Sequence, residues 1–276
     1  MLCLHHNDPD GRGAAAIVRR RWGPSVRCVE TDYSRPVPWD DIAPGEDVGV
    51  VDYSLRGGDW PRLRSRAGTV TWIDHHASSL ADGAGDPPLP GLRSVDRAAC
   101  ELAWRFYFPG EPVPRAVELV GDRDRWIWQY GAETASFHEG LKLYPQQPGD
   151  TVWTGLLNND PALLREVLER GATCVEYRLR ICAEFVRDHC FELNFEGCRC
   201  ICANLKMFGS EVFGERLADF DMGITFGYSG RKWGVTLYSR TRDVLPIAIK
   251  YGGGGHPRAA GFPCDRLPFL SETRKE

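Results

Sequence analysis

The chain has 276 residues, of which 42% are hydrophobic and 26% are charged, and its formal net charge is −4. This length allows one large or two ordinary domains, and the composition is typical of a soluble globular protein. The negative charge argues against a protein that coats long nucleic acid, and no apolar run approaches the ~18 residues of a membrane span. The first residues, Met1 to His6, lack a basic segment, so we expect no signal peptide. Together with ten cysteines, this predicts free thiols in a reducing, cytoplasmic compartment.

Strand and helix signals alternate through the first half of the chain. Residues 1–6 have the pattern of a strand, and residues 13–22 have the pattern of a helix. Short apolar runs, each bounded by Pro, Gly or Asp, then predict strands at 26–30, 47–52 and 69–73. A helix is predicted over 98–108. This alternation predicts a parallel α/β sheet covered on both faces.

The second half changes character. A charged and apolar pattern predicts a long helix or helix pair over 161–190, and later segments predict strands at 198–203, 222–228 and 233–239 and a short helix at 244–251. We therefore expect an α/β fold of two lobes. Residues 1–150 would form a parallel-sheet catalytic domain, 151–190 a helical linker, and 191–276 a smaller α/β domain that binds substrate.

Four clusters of acidic and histidine residues each follow a short apolar run. They are His5-His6-Asn7-Asp8-Pro9-Asp10-Gly11, Val51-Asp52, Asp74-His75-His76 and Gly121-Asp122-Arg123-Asp124. Side chains at the ends of several parallel strands converge where an open α/β sheet binds its ligand. Their oxygen and nitrogen atoms suit a pair of divalent cations, and two-metal centres commonly cleave phosphate esters.

Each cluster also has a simpler structural interpretation. Asp8 and Asp10 could do no more than cap the helix that follows them, and Asp52 could be an ordinary capping residue at a strand end. Asp124 could merely pair with a neighbouring arginine. The segment Asp74-His75-His76 is harder to explain in this way, because two adjacent imidazoles after an Asp are an unusual composition.

In this order the four clusters resemble the motifs of the DHH phosphoesterase family, which is named after its Asp-His-His motif. The segment from Tyr251 to Phe262, with four consecutive glycines before His256-Pro257-Arg258, resembles the signature of the DHH-associated C-terminal domain. The motifs together extend from residue 6 to residue 262. The arrangement is similar to the stand-alone branch of nano-RNases and 3′-phosphoadenosine-5′-phosphate (pAp) phosphatases.

The resemblance implies two divalent metal ions, with Mn²⁺ as first choice and Mg²⁺ or Co²⁺ as alternatives. One ion would be held by His6, Asp8 and Asp52. The other would be held by Asp10, Asp52, His75 and Asp122, so that Asp52 bridges the two. Some family members carry a further Asp where this chain has Arg12, so the division of Asp8 and Asp10 between the ions stays open.

The resemblance also implies roles for the remaining motif residues. A hydroxide activated by both metals would attack phosphorus. Asp74 would orient a ligating imidazole, and His76 would protonate the leaving oxygen or hold the phosphate, unless it is simply a packed histidine. The substrate would be bound by backbone and side chains of the C-terminal lobe, namely Arg240, Gly253, Gly254, Gly255, His256 and Arg258.

Short oligonucleotides or linear dinucleotides, with pAp as a further candidate, are the expected substrates. Cyclic dinucleotides come second, and inorganic polyphosphate or pyrophosphate third. A nucleotide-binding regulatory protein that has lost catalysis is the alternative from another functional class. We expect neither a membrane nor long nucleic acid as a partner. The sequence leaves cleavage polarity and oligomeric state open, and a homodimer is one option.

Overall fold

The computed structural model describes residues 1–77, 79 and 87–270. The chain divides into two compact units, Met1–Val175 and Glu176–Glu276. Within the described ranges, none of the helices has a stretch that is both long and apolar enough to cross a bilayer.

The first unit is built on a parallel sheet with the strand order β2-β1-β3-β4. Its strands are β1 (Leu2–His6), β2 (Arg27–Thr31), β3 (Val48–Val51) and β4 (Val70–Ile73). All four residues of β3, Val-Gly-Val-Val, are buried, as expected where helices cover both faces of a parallel sheet. The parallel sheet predicted for the N-terminal lobe is therefore confirmed.

Helices pack on this sheet. Their bounds are α1 (Pro9–Trp22), α2 (Asp59–Arg66), α3 (Ala99–Tyr107), α4 (Arg115–Asp124), α5 (Ala132–Leu141) and α6 (Thr151–Leu157), with a 3₁₀ turn at Trp39–Asp41. Cys3 of β1 belongs to the core shared with α1, whereas Leu2 and Leu4 belong to a separate core that includes Trp60 of α2. Alternate residues of one strand thus fill cores on opposite faces, because side chains along a strand alternate in direction.

The fourth acidic motif lies on a helix, not at the end of a strand. Gly121 and Asp122 belong to α4, which begins directly after Pro114. Its buried residues include Ala116, Val117 and Val120, and this three- and four-residue spacing is that of a helix with one face in the core. The prediction of a strand end before Asp122 was therefore wrong.

The second unit contains a mixed sheet with the order β5-β6-β7-β8-β10-β9, in which β6 and β7 are parallel and the other neighbours antiparallel. The strands are β5 (Phe191–Phe195), β6 (Cys198–Ala203), β7 (Met222–Tyr228), β8 (Trp233–Tyr238), β9 (Gly254–His256) and β10 (Ala259–Cys264). A 3₁₀ segment (Gly209–Asp219) and a short helix, which we call α8 (Leu245–Lys250), accompany the sheet.

A single long helix, α7 (Pro161–His189), precedes this sheet. Its residues up to Val175 belong to the first unit, and the rest belong to the second. Val167 lies in the core of the first unit, and Phe185 packs against a core cluster of the second. The predicted α/β fold with two lobes and a helical linker is confirmed.

Candidate metal centre

The first motif joins β1 to α1 and uses Asp8 in two ways. One oxygen of Asp8 accepts a hydrogen bond from the Gly11 amide at 2.9 Å, which caps α1, and the other accepts one from His6 Nδ1 at 2.6 Å. Burial alone would raise the pKa of Asp8, but the hydrogen bonds from His6 and Gly11 outweigh burial and lower this pKa to about 2. A Cβ on Gly11 would lie 2.5 Å from the His6 carbonyl oxygen, so only glycine lets α1 start this close to β1.

Asp10 faces inward from the first turn of α1 and is fully buried. Its carboxylate accepts hydrogen bonds from the amides of Ala99 and Cys100, both at 2.8 Å. These amides open α3, where a carboxylate is stabilised by the positive end of the helix. Burial nevertheless raises the pKa of Asp10. Asp10 therefore anchors the start of α3 and is also one of the acidic and histidine side chains that cluster at this end of the sheet.

Asp52 follows β3 directly and has a left-handed backbone, with φ of 53°. Its side chain is buried, and neither carboxylate oxygen has a hydrogen-bond partner among the described residues. Burial, followed by the charges of Asp10 and Asp8, raises the pKa of Asp52 well above its usual value. Leaving buried carboxylate oxygens without partners is costly, and a bound cation would satisfy both of them.

Asp74 organises the third motif. One of its oxygens accepts hydrogen bonds from the backbone amides of His75 and His76, at 2.8 and 3.3 Å, and from His76 Nδ1 at 2.8 Å. The hydrogen bond with Asp74 raises the pKa of His76. The imidazole that Asp74 orients directly is therefore that of His76, while its contact with His75 is through the backbone.

The His75 ring lies at the centre of the cluster. Its Nε2 atom is 3.2 Å from an oxygen of Asp52, 3.5 Å from one of Asp124 and 3.6 Å from one of Asp10. Burial lowers the pKa of His75, which favours the neutral ring that a metal ligand requires.

The fourth motif corrects the expected ligand set. Asp122 does not face the cluster: its carboxylate accepts hydrogen bonds from the amides of Gln129 and Tyr130, at 2.8 and 3.3 Å, and from the Thr134 hydroxyl. Asp124 lies beside His75 instead. Residues two apart on a helix point about 200° away from each other, so only one of these two aspartates can face the cluster.

Among the residues that the structure describes, three overlapping sets of side chains bring potential ligand atoms within 4.8 Å of one another. They are His6, Asp8 and Asp52; Asp52, His75 and His76; and Asp10, His75 and Asp124. Burial, and then the nearby charges of Asp10 and Asp8, raise the pKa of Asp124 to about 8. Such crowding of acidic groups is unfavourable without cations, and carboxylate and imidazole donors suit divalent ones. The residues present therefore fit a divalent metal site.

Tyr33 is a further neighbour of the cluster that no sequence pattern marks. Its ring centroid is 5.8 Å from that of His6 and 6.2 Å from that of His76, and its hydroxyl accepts a hydrogen bond from the Ser54 amide at 3.3 Å. Burial raises the pKa of Tyr33 to about 12, so the phenol is neutral at ordinary pH. Only the folded chain brings this loop residue to the cluster.

A cavity of about 200 Å³ borders the cluster. Carboxylates line one part of it, and apolar and basic side chains line the rest: Asp8, Asp10 and Asp124, with Leu119, Arg123, Phe137, His138 and Leu141.

The predicted substrate-binding residues lie in the second unit. Gly253, Gly254, Gly255, His256 and Arg258 surround the β9–β10 turn, and the His256 and Arg258 side chains are exposed. A Cβ on Gly253 would lie 2.0 Å from the Gly261 carbonyl oxygen. The close approach of β10 is therefore enough to require glycine at this position, whether or not the residue contacts a substrate. Arg240 pairs with Glu215 at 3.1 Å and donates to the Gly214 carbonyl. Their role toward substrate stays a prediction.

Comparisons with known proteins bear on the fold. No family model matches the chain. A curated relative, the uncharacterised protein R106 of Acanthamoeba polyphaga mimivirus, is 22% identical over 231 residues, which are 79% of this chain and 53% of that protein. The chain thus spans about half the length of the relative it matches.

Solved structures are similar over nearly the whole chain. The DHH domain of a member of a family of ribosomal proteins has a TM-score of 0.60 at 15% identity, covering 96% of this chain and 82% of that one. This chain has the DHH-domain fold. The pGpG-specific phosphodiesterase PggH from Vibrio cholerae has the same fold (TM-score 0.57, 12% identity, 96% and 93% covered), as does the exonuclease RecJ bound to manganese (0.52, 16%, 98% and 87%).

Proposed function

We propose that this DHH-fold chain is a metal-dependent phosphoesterase that hydrolyses short linear oligonucleotides or dinucleotides. The observation that carries the proposal is the buried Asp52 carboxylate, whose two oxygens lack hydrogen-bond partners among the described residues while imidazoles and carboxylates surround it. The shared fold with a pGpG-specific phosphodiesterase and a manganese-bound exonuclease supports it.

Two divalent cations would divide the cluster between them. His6, Asp8 and Asp52 would hold one, and Asp10, Asp52, His75 and Asp124 the other. The ions would supply Lewis-acid chemistry, lowering the pKa of water and neutralising charge on the phosphate. Asp8 keeps its capping hydrogen bond through one oxygen, so its second oxygen would face the cation in place of the His6 hydrogen bond.

His76 is the proposed general acid. Its Nδ1–H donates to Asp74 at 2.8 Å, which fixes the ring and leaves Nε2 to carry the proton that is transferred. The raised pKa of His76 keeps that proton in place closer to neutral pH, where a general acid works best. Tyr33, neutral beside the ring, would limit how far the imidazole can rotate.

The proposed substrate carries at least one nucleoside. An exposed glycine-rich turn with His256 and Arg258 offers backbone amides and positive charge to a phosphate. Linear substrates come first, with pAp among them. Cyclic dinucleotides come second and inorganic polyphosphate or pyrophosphate third, and the substrate panel described next compares these classes.

The test is a panel of a linear dinucleotide, pAp, a cyclic dinucleotide, pyrophosphate and a twenty-nucleotide strand, each with Mn²⁺, Mg²⁺ and Co²⁺. We expect metal-dependent release of mononucleotide, faster from the dinucleotide than from the long strand, and no release by an Asp74→Ala, His75→Ala double variant. Equal turnover by this variant would remove the catalytic proposal. Tight nucleotide binding without turnover by the wild type would instead favour a regulatory binding protein.

A further inference from the structure

The loop that follows α4 carries two tryptophans, Trp126 and Trp128, two and four residues after Asp124. Trp126 is 54% exposed and Trp128 is half-buried, and their rings meet edge to face with centroids 5.1 Å apart. Both residues have left-handed backbones, with φ of 57° and 60°. Bulky residues rarely adopt this conformation, so the surrounding structure must impose it.

Asp122 imposes this conformation from inside the protein. Its carboxylate accepts hydrogen bonds from the amides of Gln129 and Tyr130, and its carbonyl oxygen accepts one from the Ile127 amide at 3.0 Å. The loop is therefore fixed by a buried carboxylate and not by burial of the indoles. Strained backbone that holds side chains on the surface is typical of binding sites.

Arg123 connects the two tryptophans to the metal centre. Its guanidinium carbon is 4.1 Å from the Trp126 ring centroid and 5.2 Å from that of Trp128. The same residue lines the cavity of about 200 Å³ that Asp8, Asp10 and Asp124 also line. The cavity is thus lined both by carboxylates of the cluster and by Arg123, whose guanidinium group stacks against the two indole rings.

We propose that Trp126 and Trp128 form a stacking platform for a nucleobase of the substrate, with Arg123 adding positive charge beside the adjoining phosphate. This inference rests on the proposed function and narrows it, because a substrate without a base would gain nothing from the platform. Indoles suit this role, since every base presents a π-face and stacking tolerates any sequence. The proposed platform makes Trp126 and Trp128 specificity-determining residues.

The test compares a linear dinucleotide with its abasic analogue, which keeps the sugar-phosphate backbone. We expect Trp126→Ala to lower kcat/KM on the dinucleotide by roughly tenfold to a hundredfold, the usual loss when a stacked base loses its aromatic partner, and to leave the abasic substrate within about twofold. Trp126→Phe should retain most of the activity. Equal losses on both substrates, or no loss on the dinucleotide, would overturn the platform.

Trp22 provides a matched control. It is 52% exposed and carries Arg21 over its ring at 4.7 Å. Trp22 is the last residue of α1, however, and so lies at the opposite end of this helix from Asp10. Trp22→Ala should therefore behave like the wild type on both substrates. Loss of dinucleotide activity in this variant equal to that of Trp126→Ala would show that any exposed tryptophan matters, and would also overturn the proposal.

A binding measurement that requires no hydrolysis tests the platform separately from the proposed reaction. A dinucleotide with a methylenephosphonate linkage resists hydrolysis, so calorimetry can measure its affinity directly. Weaker binding by Trp126→Ala than by the wild type supports the platform even if the wild type hydrolyses nothing, in which case only the proposed reaction fails. Equal affinities, or no binding by the wild type, would overturn the platform.

Discussion

Asp122 and Asp124 are chemically identical and two residues apart, yet their surroundings differ. Three protein donors contact the Asp122 carboxylate, whereas Asp124 lies beside His75 among other acids. Position separates the two aspartates: the amides that donate to Asp122 belong to the loop after α4, whereas an Asp124 oxygen lies 3.5 Å from His75 Nε2, among like charges that favour a nearby cation. Asp124 is thus the proposed metal ligand, and Asp122 shapes the loop.

Asp124→Asn is expected to weaken Mn²⁺ binding by at least about tenfold, because the loss of even an indirect contact to a metal often costs that much. Calorimetric titration of Asp124→Asn with Mn²⁺, beside Asp122→Asn as the matched control, checks this. Asp122→Asn should keep Mn²⁺ affinity within a few-fold but lower the free energy of unfolding by about 1–3 kcal/mol, since one amide or hydroxyl donor would lose its acceptor. The reverse pattern would restore Asp122 as the ligand.

Asp124 also makes the stability of the metal-free protein depend on pH. Its folded pKa of about 8 lies far above its ordinary value of 3.8. Between these two pH values the folded chain binds more protons than the unfolded chain, so the free energy of unfolding falls as pH rises. With metal removed, wild type should lose about 1–3 kcal/mol relative to Asp124→Asn between pH 5 and about pH 8. Thermal denaturation at several pH values measures the difference.

Added Mn²⁺ supplies the reciprocal check. A cation displaces the protons held by the cluster, so its stabilising effect should grow with pH. We expect a larger rise of Tm on adding Mn²⁺ near pH 8 than near pH 5 in the wild type, and a smaller contrast in Asp124→Asn. An increase of Tm that is the same at both pH values would argue against proton release from the cluster.

Among the secondary-structure elements, the contact between β1 and α1 sets the position of the first motif. A Cβ on Gly11 would lie 2.5 Å from the His6 carbonyl oxygen, whereas one on Gly58 at the start of α2 would meet nothing within 4 Å. We expect Gly11→Ala to displace α1 from β1, lowering stability by about 1–3 kcal/mol and weakening metal binding. Gly58→Ala, the control, should change neither. Circular dichroism melts and Mn²⁺ titration compare the two.

The elements differ in how far the sequence determines them. β1, β3 and β4 could be predicted because short apolar runs bounded by turn residues are typical of buried parallel strands. Asp52 and His75 follow such runs directly, so their convergence could be predicted too. α4 was missed because Leu119-Val120 before a Gly-Asp pair imitates a strand end, while the helix depends on residues farther back. Asp122 was accordingly expected as a ligand, whereas the proposed ligand is Asp124.

Other features arise only from the folded chain. Tyr33 reaches His6 and His76 through the path of a loop, and no local pattern marks it. The left-handed backbones of Trp126 and Trp128 depend on a buried carboxylate several residues earlier. Sequence periodicity reports which face of an element is buried, but it does not report which loop a side chain holds in place.

On the scale of the whole molecule, the proposed metal ligands and the glycine-rich turn proposed to bind a substrate phosphate belong to different units. All proposed ligands lie within Met1–Val175, and the glycine-rich turn lies within Glu176–Glu276. Arg258→Ala should raise KM for a dinucleotide roughly tenfold, as loss of a charged hydrogen bond to phosphate does, and leave Mn²⁺ affinity unchanged. Arg231→Ala, in the exposed turn between β7 and β8, is the control. An unchanged KM would remove the turn from the substrate site.

The backbone of Asp52 restricts which residues its position can accept. With φ of 53°, a branched or bulky side chain would be strained there, whereas Asn and Gly tolerate left-handed geometry and lack the negative charge. A descendant of this protein that abandoned hydrolysis but kept its architecture would therefore be expected to carry Asn or Gly after β3. If the proposed function holds, one substitution at Asp52 would therefore be expected to end hydrolysis without straining the backbone at this position.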